Sequence, residues 1–404
     1  MAIEVAACTS TEEIVPAISP IFHYFGIQPT PPDADRFVPF VEPSRVFAAR
    51  EDGAVVGGCT SFPFELSVPG GVVRAAGLTL VGVLPTHRRR GVLRRMMRAQ
   101  LDDVHRRGEP VGYLWASEDT IYGQFGYGLG SLSGNIDVAK AHTAFAQPFE
   151  SRAEFRLLDE AAALEPMSRV YDRVWREHPG MIARSADWWR CRRLVDSEHR
   201  RMGGGPLNRV VLLHDGEPQG YALYRIHQQF EGGSTLGHVG VIEAIGASAA
   251  ATRDIWRFVL DIDWVARIKA MLLPLDHPLL MLAARPRELK FLAHDGVWVR
   301  LVDVPAALAA RRLGPGDPVV IELADAFCPW NAGRWCVTPA GAERATAGAD
   351  LTCDVTALGS VYLGGFSFRQ LARAGRVEER REGALARADA LFASDRAPWC
   401  PENF

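Results

Sequence analysis

Residues 81–93 read Val-Gly-Val-Leu-Pro-Thr-His-Arg-Arg-Arg-Gly-Val-Leu, and this stretch carries the most informative pattern of the sequence. An apolar strand ends at Pro85, a basic turn with one glycine follows, and the turn opens a helix. The helix is predicted because apolar residues recur at helical spacing, namely Leu93, Met96, Met97, Leu101 and Val104. Free backbone N–H groups at a helix start bind phosphate. The stretch therefore predicts a strand, a phosphate-binding turn and a helix.

The residue types of the turn suit a diphosphate. Gly91 lets the backbone approach phosphate oxygens without a Cβ in the way, and Arg88 and Arg89 supply positive charge. A solvated first turn of a surface helix is the alternative interpretation. The turn resembles the Arg-x-x-Gly-x-Gly/Ala turn with which the GCN5-related N-acetyltransferases (GNAT) wrap the pyrophosphate of acetyl-CoA. Leu93 departs from the small residue usual at the last position.

A second motif follows at the distance expected for that family. The helix stops at Gly108, residues 111–116 are predicted to form a buried strand, and residues 122–127 read Tyr-Gly-Gln-Phe-Gly-Tyr. This segment is similar to the Tyr-x-x-x-Gly-Phe/Tyr segment of the GNAT family. Acetyl transfer from a thioester to an amine must return a proton to the leaving thiolate, so Tyr122 is the candidate general acid. A core tyrosine bonded to a backbone carbonyl is the alternative.

The chain end is apolar and stiffened by proline. Residues 397–404 read Ala-Pro-Trp-Cys-Pro-Glu-Asn-Phe, which does not look like a frayed polar terminus. Together with both motifs and the chain length, this ending resembles the enhanced intracellular survival (Eis) acetyltransferases of actinobacteria. The resemblance implies that the α-carboxylate of Phe404 is the catalytic base; its ordinary pKa of about 3.5 would rise on burial. A tail docked by Trp399 and Phe404 for stability alone is the alternative.

The same resemblance assigns a coenzyme site. Backbone groups of Val81 and Val83 would hold the pantetheine arm, as an added strand does at a sheet edge. Ser117 matches a family position near the coenzyme thiol. Five residues would take the pyrophosphate: Arg88, Arg89, Gly91, Val92 and Leu93. Acetyl-CoA is thus the predicted cosubstrate, and no metal is expected.

The predicted fold is α/β (α+β) with three segments, because 404 residues exceed what one core usually serves. Residues 1–150 would form the catalytic GNAT domain. Residues 151–297 repeat a comparable order of elements, but residues 243–250 enter their helix without an Arg-x-x-Gly-x-Gly pattern, which predicts a second, degenerate GNAT-like copy. Residues 298–404 would form the sterol-carrier-like α/β domain of the family and deliver Phe404.

Composition argues against several other classes of protein, namely nucleic-acid-binding, membrane and disulfide-rich proteins. A net charge of −3, with no aromatic residues interleaved among the arginines of the turn, argues against a nucleic-acid partner. The most apolar stretch, 270–284, is interrupted by prolines and polar residues, so no membrane partner is expected. The seven cysteines are odd in number and form no Cys-x-x-Cys pair, which predicts free thiols in the cytoplasm. Export by a route without an N-terminal signal stays open.

The acceptor is the open question. Eis enzymes typically acetylate aminoglycosides, polycations that need an acidic pocket. Family acids in the first helix and beside the final phenylalanine are replaced here by residues 23–25 (His-Tyr-Phe) and Asn403, which leaves Glu402 as the nearest acid. Leu80 stands where family members can carry an aromatic wall residue. Aminoglycosides are the predicted acceptors, with lysine side chains or other small-molecule amines as alternatives.

Two further predictions concern the whole chain. A non-catalytic CoA- or lipid-binding protein is the alternative from another class, with the carrier-like segment as its working part. Domain doubling and an exposed third domain favour a homo-oligomer, and the family resemblance indicates a hexamer.

Overall fold

The computed structural model describes residues 3–26 and 37–404. The described strands are, in chain order, β1 (Glu4–Ala7), β2 (Val46–Glu51), β3 (Ala54–Val68), β4 (Gly71–Val83), β5 (Val111–Trp115), β6 (Gly128–Leu129), β7 (Leu132–Ala139), β8 (Glu154–Leu157), β9 (Asn208–His214), β10 (Glu217–His227), β11 (Phe230–Glu231), β12 (Ser234–Thr235), β13 (His238–Gly246), β14 (Arg267–Leu273), β15 (Leu292–Asp295), β16 (Val297–Leu301), β17 (Val319–Ala324), β18 (Gly333–Thr338), β19 (Gly341–Arg344), β20 (Leu351–Asp354) and β21 (Val377–Glu379).

The described α-helices are α1 (Ile14–Phe25), α2 (Val92–Arg106), α3 (Asp119–Tyr122), α4 (Glu160–Val174), α5 (Ala186–Trp188), α6 (Ala249–Asp261), α7 (Leu279–Leu282), α8 (Val304–Ala310), α9 (Val355–Tyr362), α10 (Phe368–Arg373) and α11 (Ala384–Phe392). None of these helices is both long and apolar enough to cross a lipid bilayer. The chain divides into two compact units. The first comprises Met1–Ser131, Val297–Asp395 and Asn403–Phe404; the second comprises Leu132–Gly296 and Arg396–Glu402.

The first unit contains a seven-stranded sheet in the order β1-β2-β3-β4-β5-β16-β6. Among the described strands of this sheet, only β4 and β5 run parallel, with Ala75 to Gly77 opposite Val111 to Tyr113. Both strands continue past the Gly77–Tyr113 pair, β4 to Val83 and β5 to Trp115. Among the described pairings, the edge of β4 that faces β5 is therefore open beyond Gly77. Such an edge can receive another extended chain.

Helices α2 and α1 lie on opposite faces of this sheet. The apolar stripe of α2, including Met96, Met97 and Leu101, packs with Leu78 and Leu114, as its spacing predicts. Helix α1 lies on the other face and approaches so closely that a Cβ at Gly58 would lie 1.7 Å from the carbonyl oxygen of Ala17.

The first unit also holds a five-stranded sheet in the order β19-β18-β17-β20-β21. It is joined to the seven-stranded sheet through Arg300 on β16, whose guanidinium binds both oxygens of Asp325 at 2.8 and 2.7 Å. Both side chains are almost fully buried, so replacing either residue by an uncharged one would leave an unpaired charge in the core.

The second unit contains a seven-stranded sheet in the order β8-β9-β10-β13-β14-β7-β15. Its parallel pair is β13 and β14, with His238 to Val241 opposite Arg267 to Ala270. The two units thus repeat one arrangement, a parallel pair preceded by antiparallel strands. In each, the sixth strand comes from a distant part of the chain: β16 in the first sheet and β7 in the second. The domain boundaries at residues 150 and 297 stay predictions.

The sequence pattern predicts a strand at 271–275 and a helix at 249–265 in this unit, and both elements have different ends in the structure. The strand expected at 271–275 is β14, which begins at Arg267 because Ile268 and Ala270 point inward while Arg267 and Lys269 alternate outward. The helix expected to reach residue 265 ends at Asp261, where Ile262 adopts ψ of 125° and leaves the helix.

Candidate active site

The turn before α2 adopts the conformation that an anion-binding turn requires. Arg89 and Gly91 have positive φ angles of 59° and 78°. A Cβ at Gly91 would meet nothing within 4 Å, so this position needs glycine for its backbone angle rather than for space. The first hydrogen bond within the helix runs from the N–H of Arg95 to the carbonyl of Gly91 at 3.2 Å. The N–H groups of Val92 and Leu93 therefore have no acceptor inside the helix.

No side chain in the part of the chain that the structure describes caps this helix start, and the predicted arginines lie beside it. Arg88 and Arg89 are exposed, whereas Val92 is buried and Leu93 is half-buried against the core. Open N–H groups, a helix N-terminus and two free-standing guanidinium groups fit a diphosphate.

The equivalent helix start in the second unit is different. Helix α6 begins after Ser248, whose hydroxyl accepts a hydrogen bond from the N–H of Ala251 at 3.1 Å. One of the open N–H groups of α6 is therefore satisfied by its own cap. Residues 240–248, which lead into this helix, contain no arginine.

The predicted pantetheine strand carries a bulge. Relative to β3, β4 has one extra residue between Thr79 and Gly82, and Leu80 there has a positive φ of 54°. Bulges re-aim backbone groups and often lie next to functional sites. Val81 and Val83 are half-buried, and the hydroxyl of Tyr24 donates to the carbonyl oxygen of Val83 at 2.6 Å. No sequence spacing indicates this contact between α1 and the end of β4.

Tyr122 ends α3, directly after the carboxyl end of β5. Its ring lies edge-on to that of Tyr127, with centroids 5.9 Å apart, and belongs to the cluster that packs with α2. Burial, with smaller contributions from Cys59 and Glu118, raises the pKa of Tyr122 to about 12. The phenol is therefore protonated near neutral pH, as a proton donor must be. Tyr127 is fully buried in the same cluster.

The backbone behind Tyr122 is fixed by the core of the first unit. Gly126 has a φ of 87°, and a Cβ there would lie 2.7 Å from the guanidinium carbon of Arg300. Phe125 packs edge-on against Phe327 at 5.2 Å. Ser117 lies two residues beyond β5 and is exposed.

Phe404 packs where β4 and β5 separate. Its ring stacks on Tyr113 with centroids 5.7 Å apart and lies edge-on to Phe64 at 4.8 Å. The ring of Phe64 occupies the space that a side chain at Gly77 would fill. Gly77 and Tyr113 are the last paired residues of the two parallel strands, so the final residue of the sequence lies at the point where the open edge begins.

The two candidate catalytic residues approach β5 from different faces. Tyr122 belongs to the cluster beneath α2, whereas Phe404 packs with Phe62 and Phe64 on the face that α1 covers. The aromatic residues that hold Phe404 were not identified from sequence, because nothing in their spacing links them to the chain end.

Glu402 offers no free charge to a cationic acceptor. Within the second unit its carboxylate is 2% exposed and lies 2.5 Å from Nε of Arg184 and 3.5 Å from Nη1 of Arg193. Both arginines also bind Glu243. Burial opposes ionisation of Glu243, but these guanidinium groups hold its pKa down at about 2. The nearest acid predicted from sequence is thus already neutralised.

Two acidic residues lie at the start of α3 instead, one as its N-cap and one as its first residue. Glu118 and Asp119 are exposed and immediately precede the turn that carries Tyr122. Among the described residues, no group of three or more His, Cys, Asp or Glu side chains is arranged to hold a metal ion.

Comparison with known families agrees with this architecture. Residues 9–130 and 180–301 each match an acetyltransferase (GNAT) domain, and residues 304–401 match a sterol carrier protein domain. These matches confirm the predicted tandem acetyltransferase domains and the sterol-carrier-like domain that follows them.

Whole-chain relatives narrow the family further. An uncharacterized N-acetyltransferase of Streptomyces coelicolor is 43% identical over 361 residues, 88% of this chain and 87% of the relative. The N-acetyltransferase Eis of Mycobacterium tuberculosis is 34% identical over 358 residues, 84% of each chain. The crystal structure of Eis1 from Mycobacterium abscessus matches with a TM-score of 0.86 at 35% identity, over 99% of this chain and 100% of that chain. This chain is therefore a member of the Eis family of GNAT-type N-acetyltransferases.

Proposed function

We propose that this N-acetyltransferase moves the acetyl group of acetyl-CoA directly to an amine of a bulky polyamine, with aminoglycosides as the acceptor class. The packing of Phe404 at the separation of β4 and β5 is the observation that carries the proposal. A tail docked for stability alone gives no reason for an aromatic ring to pack at the open edge of β4. The family assignment favours an enzyme over the binding-only alternative.

The coenzyme would lie along the open edge of β4. Backbone groups of Val81 and Val83 would bind its pantetheine arm, and Ser117 would lie near its thiol. The pyrophosphate would bind the turn before α2, through Arg88, Arg89, Gly91, Val92 and Leu93. The uncapped helix start and the exposed arginines support this placement.

Two residues of this chain would move the protons. The Phe404 α-carboxylate would accept a proton from the acceptor amine, directly or through water, so that the nitrogen can attack the thioester carbon. A C–N bond forms and the C–S bond breaks. Tyr122 would then donate its phenolic proton to the leaving sulfur and regain one from solvent. The pKa of about 12 supports Tyr122 as donor because the phenol keeps its proton at neutral pH.

The acceptor class depends on the charge around the site. Glu118 and Asp119 supply exposed negative charge beside Tyr122, which favours a cationic acceptor. The neutralised Glu402 and the replacement of the family acids by residues 23–25 and Asn403 favour a narrower range. Lysine side chains and other amines are therefore the second candidate acceptors.

Thiol release from acetyl-CoA tests the proposal. The protein is assayed with a native C-terminus, verified by intact mass, against aminoglycosides, polyamines and lysine peptides. Turnover with aminoglycosides supports the proposed acceptor. Turnover restricted to other amines overturns aminoglycosides as the acceptor class but still supports acetyl transfer from acetyl-CoA to an amine. Light scattering tests the predicted homo-oligomer or hexamer, and cell fractionation tests the predicted cytoplasmic location.

A further inference from the structure

The turn before α2 is held from outside by one carboxylate. Glu51 ends β2, and its side chain is 15% exposed. One of its oxygens lies 2.9 Å from Nε2 of His87 and 3.1 Å from Nη1 of Arg90. The other oxygen accepts from Nη2 of Arg90. A single carboxylate thus binds the residue before and the residue after the exposed pair Arg88 and Arg89.

The histidine of this cluster is itself fixed. The hydroxyl of Thr86 lies 2.8 Å from Nδ1 of His87, while Nε2 faces Glu51. With Thr86 donating to Nδ1, the Nε2–H group donates to the carboxylate, a tautomer inferred from the hydrogen-bond network. Thr86, His87, Glu51 and Arg90 form one connected chain across the base of the turn.

We propose that Glu51 is a positioning residue that holds this turn in its pyrophosphate-binding conformation. The inference rests on the proposed coenzyme site. Arg89 adopts a positive φ of 59°, which side-chain-bearing residues seldom adopt unless their surroundings hold them there. By anchoring both sides of Arg88 and Arg89, Glu51 keeps that backbone in place and leaves their guanidinium groups free for phosphate.

Charge alone would give Glu51 the opposite effect. Hydrogen bonds from Arg90 and His87 hold the pKa of Glu51 below its ordinary value, so the carboxylate is negative at neutral pH. A negative group beside a phosphate site weakens anion binding unless it fixes the geometry. Removing the charge should therefore tighten coenzyme binding if Glu51 only neutralises Arg90, and weaken it if Glu51 positions the turn.

Equilibrium binding of CoA to the full chain, measured by calorimetry without acceptor, separates these cases. We expect Glu51→Gln to raise the Kd for CoA roughly three- to tenfold, within the range of coupled neighbouring residues. An unchanged or lower Kd overturns the inference. Asp102→Asn is the matched control because it removes a carboxylate that pairs with Arg98 further along α2; its Kd should equal that of the wild type.

Two more variants separate this inference from the proposed site. Arg88→Gln tests the site: if it leaves the Kd for CoA unchanged, the coenzyme does not bind this turn. If Arg88→Gln weakens binding and Glu51→Gln does not, the site is right and the role of Glu51 is wrong. Should Glu51→Gln fail to fold by thermal unfolding, His87→Asn carries the same test, because it removes only one contact of the carboxylate. A smaller rise in Kd is expected for it, and no rise contradicts the inference.

Discussion

Two neighbouring residues of the turn before α2 reach the left-handed region for different reasons. Gly91 adopts it freely, whereas Arg89 carries a side chain and needs its surroundings to hold it there. The sequence pattern of arginines and glycine predicts the positive φ at Gly91, because glycine adopts positive φ without steric cost. It does not predict the second, because His87 and Glu51 are 36 residues apart in the chain and meet only through the sheet.

Replacing Gly91 tests the backbone requirement. Gly91→Ala adds a Cβ that meets nothing within 4 Å, so its cost is the left-handed φ alone, about 1–2 kcal/mol of unfolding free energy. CoA binding should weaken as well. Gly123→Ala is the matched control, since its surroundings are equally open but its φ is −57°. Denaturant unfolding measures the stability of both variants. Equal losses of stability in the two would show that the positive φ is not what requires glycine at residue 91.

The role of Tyr122 can be tested without changing its packing. Tyr122→Phe should lower kcat about 100-fold, the usual contribution of a proton donor, and leave the Kd for CoA unchanged. Steady-state kinetics and calorimetry give both values. Because the pKa of Tyr122 is about 12, wild-type kcat should show no alkaline fall from this group below a pH of about 10. A variant as active as the wild type would exclude Tyr122 as the acid.

At the scale of single elements, sequence periodicity predicted α2 and the strands around it well. Elements whose position depends on distant partners were less predictable. One example is the bulge at Leu80, which is defined by the register of β4 against β3. Another is the start of β14, where the charged residues Arg267 and Lys269 alternate with buried ones, so the apolar pattern alone does not indicate a strand. Burial patterns set by neighbouring strands are not contained in a local stretch of sequence.

The contact of α1 with the sheet gives a prediction at this scale. Gly58→Ala should destabilise the protein by about 1–3 kcal/mol, because its Cβ would overlap the carbonyl oxygen of Ala17 and force α1 away from β3. Gly348→Ala is the control, since a Cβ there meets nothing within 4 Å. Denaturant unfolding measures both. A stable Gly58→Ala variant would contradict the close packing of α1 described here.

At the scale of the whole molecule, the chain repeats one sheet arrangement but keeps an open helix start in one copy only. Helix α2 begins uncapped beside arginines, whereas α6 is capped by Ser248. The lack of an Arg-x-x-Gly-x-Gly pattern at the entry to α6 is visible in the sequence, and the Ser248 cap occupies an N–H group that is left open at the start of α2. The role of Phe404 could be predicted only from the family resemblance. Nothing in the spacing of residues 62, 64 and 113 indicates that they contact the chain end.

This difference between the repeats predicts one coenzyme per chain. Calorimetry with CoA should give a stoichiometry of one, and Arg88→Gln should weaken that single event. A second binding event of comparable affinity that survives Arg88→Gln would show that the second repeat also binds the coenzyme.

Adding two alanines after Phe404 tests the proposed base, because it moves the α-carboxylate and keeps the aromatic ring in the chain. We predict that turnover of acetyl-CoA with its best amine falls at least about 100-fold, as expected for loss of a general base, while the Kd for CoA stays within twofold of the wild type. The same two residues added before Met1 serve as the control and should change neither value. Unchanged turnover by the C-terminally extended protein would remove the Phe404 carboxylate from the mechanism.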